Sequence, residues 1–197
     1  LRIPTGGGKT LLGAHAIAAM AAEWPRASVA GRADTGHPLV LWLVPSDAIR
    51  AQTLGALGRP GNPLREALLE ACGESVKVCD LDEVAQLSPQ DMAACTVVVV
   101  ATIQSFRVED TDQRNVYSFS ERFEPHFKGL GVAALQALHA LPDALVTAED
   151  AAQAKAGREM LARFVGQPRW SLANWLAVQQ PYVIVDEAHN TKTERSL

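Results

Sequence analysis

Two short stretches at opposite ends of the chain carry the residue types that phosphate chemistry needs. The first is Pro4-Thr5-Gly6-Gly7-Gly8-Lys9-Thr10. Consecutive glycines let a backbone come close to an anion and turn its N–H groups toward phosphate oxygens. A helix beginning near Lys9 adds the positive end of its dipole. The Lys9 ammonium would neutralise β- and γ-phosphates, and the Thr10 hydroxyl would coordinate Mg²⁺. The second stretch is Val183-Ile184-Val185-Asp186-Glu187-Ala188-His189. Its apolar run delivers two carboxylates at its carboxyl end, the edge at which open parallel sheets take ligands. Asp186 suits a Mg²⁺ ligand, directly or through water, and Glu187 suits a group that polarises an attacking water. Each stretch has a plain alternative: a glycine-rich turn before a helix, and a strand that ends in charge. Together, and in this order, they point to a nucleoside triphosphate.

Both stretches need a scaffold, and the pattern between them supplies one. Leu1 to Ile3 reads as the stub of a first strand, and Lys9 to Trp24 as an Ala- and Leu-rich helix stopped by Pro25. Residues 27–38 hold Gly31, Asp34, Gly36 and Pro38 and read as a loop. Leu39 to Val44 is a continuous apolar run, which predicts a buried strand. A helix follows over 46–57, with Ser46 or Asp47 available to cap it. A turn over 58–63, a helix over 64–72 and a short strand over 76–80 come next. Further buried strands are expected at Thr96 to Ala101 and Tyr182 to Val185. Alternation of this kind predicts an α/β fold, a parallel sheet with helices on both faces.

Residues 107–170 break the alternation and are longer than a simple crossover requires. Arg107 to Phe127 is polar with scattered aromatics, and 131–141 and 148–165 read as Ala-rich helices. The expected organisation is therefore a first part of the ATP-binding domain at 1–106, a helical insertion at 107–170, and a return to the domain at 171–197, with a helix over 171–179. Trp42 is expected in the core; Trp170 and Trp175 are read as packing residues of the insertion, with base stacking as the alternative. The stretch with Tyr117, Phe119, Phe123 and Phe127, followed by His126 and Lys128, could form a partner surface. Asp80 and Asp82 read as a solvated strand end.

The chain has 197 residues, 48% of them hydrophobic, and a formal net charge of -4. Such a composition is globular and is not that of a basic nucleic-acid-binding domain, so a nucleic-acid partner must be argued from motifs. Three cysteines without C-x-x-C spacing and five scattered histidines suggest no zinc site and fit a reducing, cytoplasmic setting. No apolar run approaches the ~20 residues of a membrane span, and no signal peptide is visible. The sequence opens inside a motif without an initiator Met, as a fragment would.

On these residues the chain resembles superfamily 2 helicases of the DEAD/DEAH-box group. Pro4 to Thr10 is similar to their motif I, with Ile3 where an Ala is usual, and Asp186 to His189 is a D-E-A-H box. Leu43-Val44-Pro45-Ser46, with Ile49 and Gln52, is similar to motif Ia; Ala101-Thr102-Ile103-Gln104-Ser105 is similar to the T-x-Q-S form of motif Ib. Within the group the likeness is to the restriction (Res) subunit of type III restriction enzymes. The signs are the glycine-rich motif, A-T-I-Q-S-F from Ala101, and D-E-A-H-N-T-K-T-E-R-S-L from Asp186.

The resemblance implies a RecA-like P-loop NTPase domain. ATP would be held by Pro4, Thr5, Gly6, Gly7, Gly8, Lys9 and Thr10, and Mg²⁺ by Thr10 and Asp186. Lys9, Asp186 and Glu187 would be the catalytic set. Pro45, Ser46, Gln52 and Thr102 would touch a nucleic-acid backbone, and His189 would couple the ATP site to motif III. Read without the resemblance, the motif Ia residues form a strand, a turn and a capped helix, and Gln104 or Ser105 could be capping residues. No motif III, second motor domain with its arginine finger, or nuclease domain follows within the sequence, so hydrolysis by this stretch alone is expected near background.

The implied activity is ATP hydrolysis driving movement on duplex DNA, in a restriction endonuclease with a modification (methyltransferase) subunit as a further partner. The rival readings are an RNA or DNA-repair helicase of the same superfamily, and a nucleotide-binding interaction module that hydrolyses nothing.

Overall fold

The structure is a computed structural model. It describes residues 8–24, 32–33, 35–73, 75–106, 116–154 and 158–186, with Lys9, Ala71 and Arg158 as backbone. The chain divides into two compact units. The first is formed by residues 1–28, 35–114 and 181–197; the second by 29–34 and 115–180. Each is taken by itself.

Among the described residues, the first unit is built on a four-stranded sheet in which every pairing is parallel. The strands are β1 (Leu39–Val44), β2 (Val76–Asp80), β3 (Thr96–Thr102) and β4 (Tyr182–Val185), in the order β2-β3-β1-β4. β3 is buried at every residue and β1 at all but Leu43, as continuous apolar runs in a covered parallel sheet should be. Parallel pairing needs long crossovers: α2 (Asp47–Gly58) and α3 (Pro63–Cys72) lie between β1 and β2, and α4 (Pro89–Ala94) between β2 and β3. α1 (Lys9–Glu23) precedes β1, and the strand stub read at Leu1 to Ile3 lies outside the described residues. The expected α/β scaffold is therefore present, with its predicted strands at β1 and β3 side by side and β4 on the far edge of β1. β4 is not the buried strand its apolar run predicts: one of its faces is open, with Val183 52% and Val185 41% exposed.

One face of the sheet presents Val40, Trp42 and Val44 from β1 beside Val98 and Val100 from β3. Ile17 of α1, Leu57 of α2 and Leu68 of α3 close over it. Trp42 is 1% exposed, a core residue as its mid-strand place predicts. α1 comes so near that a Cβ on Gly13 would sit 2.8 Å from Cη2 of Trp42. Only a glycine admits the indole at that distance. Tyr182 and Ile184 of β4 pack against the same cluster, and the Tyr182 ring meets Trp24 edge-on at 5.7 Å.

Two features between β2 and β3 were not foreseen: a 3-10 helix over Leu81–Gln86, and α4. Both are fixed by short-range caps rather than by an apolar period. The Ser88 hydroxyl and the Asp91 carboxylate cap each other's backbone N–H groups at 3.2 and 2.8 Å. Asp80 is not a solvated strand end. Its N–H donates to Glu83 at 2.8 Å, and its carboxylate, 22% exposed, pairs with Arg50 of α2. Asp82, by contrast, is exposed.

The second unit is mainly helical, with α5 (Glu124–Lys128), α6 (Val132–His139), α7 (Ala148–Gln153), α8 (Arg158–Arg163) and α9 (Leu172–Gln179). The helix expected over 148–165 is two short ones: Ala154 turns to φ −60°, ψ 121° and ends α7. Its core holds Phe123, Phe127, Leu138, Trp175 and Val178. Of the aromatic stretch read as a possible partner surface, Phe123, His126 and Phe127 are buried and Phe119 stacks on Trp170 at 5.3 Å, while Tyr117 and Lys128 are exposed. Burying these rings wins over displaying them because each hides a large apolar area. α9 belongs to this unit, whose limits fall at 115 and 180 where the sequence suggested 107 and 170.

Candidate nucleotide site at the carboxyl edge of the sheet

Because all four described strands run the same way, their carboxyl ends share one edge, and Pro45, Ser46, Thr102 and Asp186 stand there. β1 ends at Val44, paired with Thr102 at the end of β3; Leu43 pairs with Val185 of β4. The Asp186 N–H then donates to the Leu43 carbonyl at 2.8 Å. That bond carries the β1–β4 ladder one residue past the strand and fixes the backbone from which the carboxylate projects. Neighbouring strands lie ~4.8 Å apart, so Asp186 and Thr102 are separated by about 10 Å across the edge, with β1 between them. Asp186 is half-buried.

α1 begins at Lys9 from Gly8, which takes the left-handed conformation at φ 78°, ψ 23°. Among the described residues no side chain caps this terminus, and no acidic residue lies in its first turn. The first-turn N–H groups and the helix dipole of such a terminus suit an anion. Thr10 is half-buried in that turn. The two hard oxygen donors expected for Mg²⁺ that fall among the described residues are the Thr10 hydroxyl, in the first turn of α1, and the Asp186 carboxylate, directly after β4. Pro4, Thr5, Gly6, Gly7, Glu187 and His189 lie outside the described residues, as does the Lys9 side chain. No group of three His, Cys, Asp or Glu among the described residues could hold a metal ion.

A second set lies on the same edge around β1 and β3. Pro45 is half-buried directly after β1, and Ser46 caps α2, its hydroxyl accepting from the Ile49 N–H at 3.4 Å. Gln52 is exposed one turn on. Thr102 is buried, its hydroxyl 2.9 Å from that of Ser105. The structure also brings in a residue that the sequence left undecided. Gln104, in the 3-10 turn Ile103–Phe106, donates from Nε2 to the Pro45 carbonyl at 3.0 Å. It is no helix cap. The sequence signal was its place in the T-x-Q-S string, which gave no partner.

A family model described as the type III restriction enzyme, res subunit, matches residues 1–196. The chain belongs to this family. It is accordingly the N-terminal motor domain of a superfamily 2 helicase type, a helicase-like ATP-binding domain. No curated protein and no solved structure matches the chain. The parallel sheet and the glycine-led α1 of this Res-family domain agree with a P-loop architecture. No described helix is long and apolar enough to cross a membrane.

In the second unit of the Res-family chain, a cavity of about 420 Å³ is lined by Tyr117, Phe119, Asp150, Gln153, Leu161 and Arg169. Arg169 donates to the carbonyls of Tyr117 and Leu145 at 3.3 and 3.2 Å and to Asp150 at 2.5 Å. Asp150 also accepts from the Thr147 N–H and hydroxyl, both at 2.7 Å. Burial opposes ionisation of Asp150, but the Thr147 bonds and the Arg169 charge outweigh it and hold the carboxyl below its ordinary value. These charges hold the unit together.

Proposed function

We propose that the chain binds Mg·ATP at the carboxyl edge of its sheet and, within the intact res subunit, couples ATP hydrolysis to movement along duplex DNA. The observation that carries the reading is the position of Asp186. An acidic residue stands at the end of a parallel strand, held by its N–H on β1, in a unit whose first described helix starts from a glycine-led terminus with no side-chain cap among the described residues. In phosphoryl transfer, positioning and charge stabilisation supply most of the catalysis. Residues Pro4 to Thr10 would cradle the phosphates, with Lys9 as their main cation. Thr10 and Asp186 would hold Mg²⁺, which when bound neutralises charge on the phosphate oxygens. Glu187 would orient and deprotonate the attacking water, and His189 would relay the state of the site to the rest of the motor. Pro45, Ser46, Gln52 and Thr102 would meet the DNA backbone. The second unit would be an insertion between β3 and β4, and a modification subunit a further partner.

The direct test is calorimetry of Mg·ATP binding with the wild type and Lys9→Ala. Lys9→Ala is expected to weaken binding, because charge-assisted bonds to phosphate are about twice as strong as neutral ones. Equal affinities would remove the phosphate loop from the argument. ATP binding without hydrolysis by an intact res subunit, with either DNA or RNA present, would favour a binding module over a motor.

A further inference from the structure

We propose that Gln104 is a positioning residue that ties the turn after β1 to the turn after β3, so that Pro45–Ser46 and Thr102 meet a nucleic-acid backbone as one rigid surface. The proposal rests on the reading of those two turns as nucleic-acid contacts.

The β1–β3 ladder ends at the pair Val44↔Thr102. Beyond it the strands part company. β1 runs through Pro45 and Ser46 into α2, and β3 curls into the 3-10 turn Ile103–Phe106. Up to that pair the two strands are held by backbone bonds, the first of them from the Val97 N–H to the Pro38 carbonyl. Beyond it a side chain makes the link: the primary amide of Gln104 donates from Nε2 to the Pro45 carbonyl at 3.0 Å.

Within the turns, Thr102 and Ser105 bond hydroxyl to hydroxyl at 2.9 Å, and Ser46 caps its own helix. The Gln104 side chain spans the two turns. Its bond is exposed and ordinary in strength, so the fold hardly depends on it. Its value is geometric: a phosphate backbone contacting both turns finds them already at a fixed spacing, and no ordering cost is left to binding.

The experiment uses the intact res subunit with Gln104→Met, which keeps the length and loses the donor, and Gln104→Glu, which sets a carboxylate against a carbonyl. ATPase rates are measured while duplex DNA is titrated. A hydrogen bond of ordinary strength predicts a rise in KM for DNA of about two- to twelve-fold. KM for ATP and kcat at saturating DNA should hold, with the melting temperature unchanged. An unchanged KM for DNA would overturn the proposal, as would a loss spread over every kinetic constant together with a lower melting temperature. If DNA does not stimulate the wild type, the nucleic-acid reading has failed by itself. The strut is then decided by amide hydrogen exchange: Gln104→Met should speed exchange in both 46–49 and 103–106, and unchanged exchange in either segment would refute it.

Discussion

Gly13 offers a test in which the general rule and this structure give opposite signs. Gly→Ala inside a helix ordinarily stabilises, by about 0.8–1 kcal/mol on propensity. At Gly13 the new Cβ would stand 2.8 Å from Cη2 and 2.9 Å from Cζ2 of Trp42. Carbon atoms settle at ~3.5–4.0 Å, so α1 or the indole must move by about 0.7–1 Å. Trp42 is 1% exposed and hemmed in by Ile17, Val40 and Val44. Overpacking of this kind costs about 1–3 kcal/mol. Setting one against the other, Gly13→Ala should be destabilising by roughly 0–2 kcal/mol. Gly55, inside α2, has nothing within 4 Å of its Cβ position, so Gly55→Ala should stabilise by about 0.4–1 kcal/mol. With an m-value of ~2 kcal/mol/M, the two variants should differ in urea midpoint by up to about 1 M or slightly more. A displaced α1 also carries the terminus at Lys9 with it, so Gly13→Ala should weaken Mg·ATP binding while Gly55→Ala does not. If the two variants prove equally stabilised, with ATP affinity intact, the close packing of α1 on Trp42 is wrong.

Three further outcomes are expected. The Ser88 backbone N–H, the Lys77 ammonium and the Ser88 hydroxyl hold the Asp91 carboxyl down at about 2. A depressed pKa stabilises above the unfolded value of ~3.9, and that stability fades as pH falls through the folded value. Asp91→Asn should therefore cost about 1–2 kcal/mol near pH 6, allowing for solvent screening, and almost nothing at pH 2; an equal penalty in urea titrations at both pH values would contradict the linkage. Burial pushes the Cys79 thiol up to about 12, so iodoacetamide at pH 8 should mark the half-buried Cys72 and Cys95 first, and peptide mass spectrometry showing Cys79 ahead would refute this. In the intact res subunit, Asp186→Asn should impair Mg²⁺-dependent nucleotide binding, while Glu187→Gln should bind ATP and fail to hydrolyse it. Single-turnover hydrolysis by Glu187→Gln at near the wild-type rate would exclude this glutamate as the base.

What was legible in the sequence is what burial dictates. β1 could be read residue for residue from its apolar run, and β3 to within its last residue, because strands covered on both faces admit little else. The cap of α2 could be narrowed to Ser46 or Asp47, because few side chains accept from a first-turn N–H, and the structure selects Ser46. The 3-10 helix over 81–86 and α4 were invisible for the opposite reason: caps and the tertiary pairs Arg50–Asp80 and Lys77–Asp91 hold them, and such pairs leave no period in a sequence. The Ala-rich run over 148–165 shows strong helix propensity, and its one break signal, Gly157, was read through although it stands directly before α8. At the proposed site, Thr10 and Asp186 were singled out by residue type and motif spacing alone. Gln104 could be quoted but not understood, since its partner, the Pro45 carbonyl, is a backbone atom far away in the chain.

The strand order carries a consequence for how the protein is made. β1, β2 and β3 leave the ribosome early and can pair among themselves, since β3 lies between the other two. β4 is synthesised only after the whole second unit. Until then β1 keeps one side unladdered: a fully apolar strand offering bare N–H and C=O groups, the kind of edge that recruits other chains. Contacts this distant along the chain also form slowly. Asp186 arrives with β4, so the proposed nucleotide site would be completed in the same step that seals this side of β1. A nascent chain short of Pro181 should be both unable to hold Mg·ATP and prone to associate with its neighbours.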